Sequence, residues 1–130
     1  VINIEKYIKI PFMSHGRDFN GCDCYGLVRL VIQEETGKIL PDFWDYSSAN
    51  EIEIVSNLIN INRPNIPNIK KEKPDEMDIV LYKFKGYVSH MAVYVGNGRI
   101  LHIISNTNAN CVPVEHGILK GRVEGYYGIQ

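Results

Sequence analysis

The chain has 130 residues with 45% hydrophobic content, one domain's worth, long enough for a core but not for two. Fourteen Lys plus Arg stand against 15 Asp plus Glu, so nothing in the charge balance points to nucleic acid or another polyanion. Three cysteines, an odd number, argue against a disulfide framework and leave at least one thiol free, and no stretch approaches the ~20 apolar residues of a membrane span.

Val1 to Ile10 lacks the apolar run and small-residue cleavage site of a signal peptide, so any export is expected to be arranged otherwise. The chain does not begin with Met, which suits a trimmed chain or a segment of a larger protein. Asn3 to Ile8 can form a short amphipathic helix ended by Pro11, and Met13 to Gly21 reads as a polar, turn-rich loop. A helix is then expected from Cys24 to about Thr36: Leu27, Val28, Leu30, Val31 and Ile32 make a broad apolar face, and Gly37 suits the position after the last turn.

Leu40 to Trp44 is a loop, and Ser48 with Glu51 makes a capping box before Ile52, Val55, Leu58 and Ile59, a second helix. Pro64, Pro67 and Pro74 break the chain, with Lys70, Lys71 and Lys73 between them read as a solvated linker. From Asp78 the pattern turns to strands: 78–84, 88–95, 99–104, 111–114 and 122–127. Helices followed by strands joined by short turns describe an α+β fold, with N-terminal helices against a C-terminal antiparallel sheet of about five strands.

Cys24 is the residue from which chemistry is expected. It stands where a turn enters a helix, in Gly21-Cys22-Asp23-Cys24-Tyr25-Gly26-Leu27-Val28. Unsatisfied amides there stabilise negative charge, and with a histidine nearby the thiol pKa can fall from about 8.5 to ~3.5–7.5. His90 and His102, in strand sequence, are suited to that task, and a cysteine hydrolase is the reading these residues favour. Cooperation between them depends on the hairpin at Gly96-Asn97-Gly98. A two-residue turn pairs residues summing to 195 and would point the histidines to opposite faces. A three-residue loop with Gly98 left-handed pairs Val95 with Arg99, sums to 194, and puts His90 and His102 on one face as diagonal neighbours. The three-residue loop is expected, with the first helix packed across that face to bring Cys24 to His90.

Gly21-x-Asp23-Cys24-x-Gly26-Leu27-Val28, then Asp78-Ile79-Val80, His90-Met91-Ala92-Val93-Tyr94-Val95-Gly96-Asn97-Gly98 and Ile100-Leu101-His102 resemble, in order and spacing, the NlpC superfamily of papain-like cell-wall cysteine peptidases. Gly16-Arg17-Asp18-Phe19, Leu40-Pro41 and Val123-Glu124-Gly125-Tyr126-Tyr127 look like its phage-tail-associated branch. The resemblance implies a single papain-like domain over residues 1–130. It implies that Cys24 attacks a carbonyl of a peptidoglycan stem peptide, typically at the γ-D-glutamyl to diamino-acid link, to give a thioester that water hydrolyses. His90 is then base and acid, and His102 orients its ring. No cofactor is implied. Phage tail proteins become possible partners, and a chain made in the cytoplasm would reach the wall from the virion tail.

Asp23 reads equally as an N-cap or as a carboxylate for a substrate amine. The family commonly has a tyrosine twelve positions before the nucleophile whose hydroxyl helps hold the oxyanion; this chain has Phe12, and loss of one such donor typically costs about 10²–10³ in rate. Slow catalysis is expected unless another group, such as the Ser14 hydroxyl, fills that place. Cys22 and Cys111 read as packing residues, and no metal site is expected, because a Cys-x-Cys pair lacks the usual spacing and no second pair follows. Tyr82, Tyr87, Tyr94 and Trp44 read as packing rather than site residues. The rivals are a binding or tail-assembly module on the same fold, and an amidase or acyltransferase using the same thioester.

Overall fold

The computed structural model describes residues 2–40 and 69–128. Its elements are a short 3₁₀ turn Ile4–Lys6, β1 (Arg17–Asp18), β2 (Gly21–Cys22), α1 (Cys24–Thr36), β3 (Ile69–Lys71), β4 (Ile79–Phe84), β5 (Tyr87–Gly96), β6 (Arg99–His102), β7 (Asn110–Pro113), a 3₁₀ turn Gly117–Leu119 and β8 (Val123–Gly128). β1 and β2 form a small ribbon within the expected loop, and the rest make an antiparallel sheet in the order β3-β8-β4-β5-β6-β7. The α+β architecture is as expected, with one α-helix among the described residues; the capping box at Ser48 and the helix it would start lie outside them. No helix of the described residues is long and apolar enough to cross a membrane.

The helix boundaries follow from the caps. Asp23 accepts from the Gly26 amide at one end, and left-handed Gly37 donates to Gln33 at the other. The Asn3–Ile8 helix shrinks to one 3₁₀ turn, since three to six residues cannot repay helix nucleation. Tyr7, fully buried, donates to Glu35 and ties this turn to the helix.

The basic run is not wholly a linker. β3 pairs with β8, and Lys71 Nζ lies 2.9 and 3.1 Å from the buried Asp78 carboxylate, which also accepts from the Asp75 amide at 2.7 Å. A buried carboxylate needs such donors, so the lysine has a structural use that a count of charges does not reveal.

Two apolar layers sandwich the sheet. Leu27, Val28, Val31 and Ile32 of α1 pack with Ile79, Leu81, Met91, Val93 and Leu101. On the other face Val80, Tyr82, Ala92 and Ile100 pack under Val114 and Leu119 of the segment that crosses from β7 to β8. Side chains alternate along a strand, so His90 shares the second face with Ala92 and Tyr82. The helix therefore covers the face opposite the histidines, not their own as the sequence suggested. Its apolar stripe requires an unbroken apolar floor, which the alternate residues of β5 supply.

The β5–β6 turn also differs from expectation. Asn97 and Gly98 form a two-residue turn, both with positive φ, and Gly96 pairs with Arg99. Val95 is then left without a partner as a bulge, and from Tyr94↔Ile100 onward the paired numbers sum to 194. The bulge supplies the shift expected of the loop.

Candidate active site

The segment before α1 is locked onto the helix start. Phe12 donates to Thr107 O at 3.0 Å, Met13 to Cys22 O at 2.9 Å, and Cys22 to Pro11 O at 3.0 Å. Phe12, half-buried, forms an isolated parallel bridge with Cys22, which brings it beside β2, the strand that leads into α1. A Cβ on Gly26 would lie 1.9 Å from Gly16 O, so glycine is required for the loop to close on the helix. Asp23 is 1% exposed. Its Oδ1 accepts from Gly26 N at 2.8 Å and Arg17 Nη1 at 3.0 Å, and its Oδ2 from His15 N at 3.0 Å. These donors make Asp23 the N-cap and the post to which the loop is tied. Ser14 is exposed, with Oγ 3.3 Å from His15 Nδ1.

Cys24 is 7% exposed at the tip of α1, and the backbone N–H groups of Met91 and Tyr25 reach its sulfur. The Met91 amide is available because of strand geometry. Tyr94 bonds Asp78 and Met77 toward β4, so by alternation the Met91 amide points to the β6 flank, and β6 has ended at His102. The thiol occupies that gap, next along β5 from His90.

The histidines come together as a pair. His90 Nε2 lies 3.1 Å from His102 Nδ1, with ring centroids 5.3 Å apart and planes at 78°. Engagement of Nε2 by His102 leaves Nδ1 as the other ring nitrogen of His90. His90 is also braced from its far side, by Tyr82 at 5.6 Å and by the edge of Phe84 at 6.4 Å. Tyr82 is itself fixed by a hydrogen bond from its hydroxyl to Val114 O at 2.7 Å. The sequence points to packing alone for Tyr82. The signal for its role was the pairing Tyr82↔His90, hidden by a bulge at the Tyr82/Lys83 step.

Burial sets the charge states. Desolvation, with the Asp23 charge adding, pushes the Cys24 thiol up to about 12 against the two amides that favour its thiolate. Desolvation and His102 pull His90 down to about 3, and desolvation and His116 pull His102 down to about 4. The thiol is therefore not lowered as the helix terminus alone suggested. The resting site holds a neutral thiol and two neutral imidazoles, because the cost of burying charge exceeds the attraction of a few partial dipoles. Cys22 is wholly buried, donates to Asp18 O at 3.2 Å and is likewise pushed up to about 12 by burial. No three His, Cys, Asp or Glu side chains converge to hold a metal ion among the described residues.

A profile of the NlpC/P60 family matches residues 9–126. No curated protein matches the sequence. Among solved structures, the NlpC/p60 domain of the peptidoglycan hydrolase SagA superposes with a TM-score of 0.65 at 18% identity, over 96% of this chain and 92% of that one. An NlpC/P60 family protein from Bacillus cereus gives 0.65 at 19% identity, over 92% of this chain and 35% of that one. The peptidoglycan hydrolase RipB from Mycobacterium tuberculosis gives 0.60 at 20% identity, over 96% and 60%. The chain thus spans nearly all of the first of these structures but about a third of the second.

Proposed function

The chain belongs to the NlpC/P60 family, and from that premise we propose that it is a cell-wall cysteine endopeptidase cutting peptidoglycan stem peptides at the γ-D-glutamyl to diamino-acid bond. The observation that carries this reading is the His90–His102 contact at 3.1 Å, on the strand whose next amide reaches the Cys24 sulfur. SagA and RipB, which share the fold, are peptidoglycan hydrolases.

With both partners neutral at rest, Cys24 gives up its proton as it attacks: Nδ1 of His90 accepts it while the sulfur bonds to the carbonyl carbon. His102 supports the imidazolium through Nε2, and the proton then passes to the leaving amine. Water hydrolyses the thioester, with His90 taking a proton from that water and returning it to the Cys24 sulfur as the C–S bond breaks. The amide of Cys24 is a donor for the oxyanion. The test is digestion of defined muropeptides by wild type and Cys24→Ala, read by mass spectrometry. Products expected from wild type alone are two fragments summing to substrate plus water; cleavage by both proteins would remove Cys24 from the reaction.

A second reading, a binding or tail-assembly module with weakened catalysis, is favoured by Phe12 and by the burial of the thiol. The two differ in reactivity. The enzyme should be alkylated at Cys24 below pH 8 in a His90-dependent manner, whereas alkylation only at high pH supports the module. An amidase or acyltransferase would give different product masses. The motifs at 16–19, 40–41 and 123–127 support a phage-tail source, with the tail as partner and route to the wall; detection of the chain in purified virions tests it.

A further inference from the structure

Beyond the histidine pair lies a cation that the chemistry of bond cleavage does not use. Arg122 is exposed just before β8, its guanidinium carbon 4.7 Å from the centroid of Phe84. Its Nε donates to Ile118 O at 2.7 Å. These two contacts fix the plane of the guanidinium and its attachment side, and no hydrogen bond from the other two nitrogens of this exposed side chain is formed to the described residues. No carboxylate pairs with it among the described residues. Phe84 in turn sets its edge against His90, so the guanidinium stands two side-chain contacts from the base, with the exposed Tyr87 opposite Phe84 in the hairpin.

An exposed arginine usually samples many rotamers, and ordering it costs affinity. Here the aromatic face and the carbonyl have already ordered it, and what remains is a planar two-nitrogen fork, the geometry that recognises a carboxylate bidentately. We propose that Arg122 is a specificity-determining residue that binds a free carboxylate of the substrate peptide. The inference rests on the stem-peptide reading above, since a stem tetrapeptide whose diamino acid is lysine carries two free carboxylates: the α-carboxylate of the D-glutamyl residue and the one at the peptide's C-terminus.

The experiment measures affinity without turnover, so that it does not depend on catalysis. Cys24→Ala protein is titrated by calorimetry with a synthetic stem tetrapeptide in three forms: both carboxylates free, the D-glutamyl α-carboxylate amidated, or the C-terminal carboxylate amidated. Amidating the carboxylate that Arg122 binds should weaken binding about tenfold, and which amide does so identifies it. Adding Arg122→Ala should weaken the free peptide about tenfold and abolish the difference between free and amidated forms. Arg122→Lys, which keeps the charge but not the fork, should fall between and serves if the alanine variant is unstable. Equal affinities for all three peptides, no binding of any of them, or an Arg122 effect of the same size on every form, would overturn the assignment. Arg122-dependent binding without cleavage by wild type would instead leave this inference standing and remove the peptidase reading.

Discussion

Phe12 and Cys24 show how a single side chain alters a shared design. Position 12 lies beside Cys22 through a parallel bridge, and under the proposed reaction a ring hydroxyl there would be a further donor for the oxyanion. Phe12→Tyr is expected to raise turnover on stem peptides by about tenfold or more, toward the 10²–10³ that one oxyanion donor is worth. An unchanged rate in a folded variant would mean that another donor, such as Ser14, already acts there. The neutral state of Cys24 has a consequence as well: alkylation of wild type should depend on His90 as a base, so His90→Ala should slow labelling at pH 7 at least tenfold, while His90→Ala labelling should recover as pH approaches 12. Equal labelling of both proteins at pH 7 would show that the imidazole does not reach the sulfur.

Two elements decide whether the side chains meet. The loop of residues 13–22 closes on α1 only because position 26 lacks a side chain. Ala is worth up to about 1 kcal/mol over Gly in a helix, but its Cβ would overlap a backbone oxygen at 1.9 Å, and backbone cannot swing aside as a side chain can. The overlap should win: Gly26→Ala is expected to lower stability in denaturant titration by about 2 kcal/mol or more, and a gain would mean that the loop is not bound to the helix in solution. The bulge at Val95 is the second element. Gly96 has φ of 91°, which an L side chain resists. Gly96→Val should strain the bulge by roughly 1–3 kcal/mol and shift His102 away from His90, with turnover falling more than stability predicts. Full activity in that variant would separate the bulge from the site.

The protein as a folded unit carries its buried His90 and half-buried His102 as a pH dependence. His90 and His102 have folded pKa values of about 3 and 4, below the ordinary 6.5. The unfolded chain therefore takes up protons first as pH falls: the stability is fully present above about 6.5 and is lost as pH drops through 4 and then 3. Between pH 7 and 4 the unfolding free energy should fall by roughly 3 kcal/mol for each of these two groups, and His90→Gln with His102→Gln should flatten that slope. At the other end Cys22 and Cys24, both pushed up to about 12, favour the folded chain below about 8.5, and that preference fades as pH rises toward 12. A wild-type midpoint that does not move between pH 7 and 4 would place the imidazoles in water.

Local features of the chain were readable because they depend on near neighbours. The Asp23 cap, the Gly37 stop and the apolar face between them bound α1 at Cys24–Thr36, and alternating Val, Ile and Tyr marked the five longer strands. The positions of Cys24, His90 and His102, and their order along the chain, were legible too, since their surroundings are local motifs. Distant pairings were not. The bulges at Val95 and beside Tyr82 turn the histidines onto one face and set His90 against Tyr82, yet each depends on an unpaired residue that no periodicity announces. The covered face, the strand use of Lys71 and the raised thiol pKa likewise arise from packing. A helix terminus favours a thiolate by a fixed local dipole, whereas the cost of burying that charge depends on everything the fold brings around it.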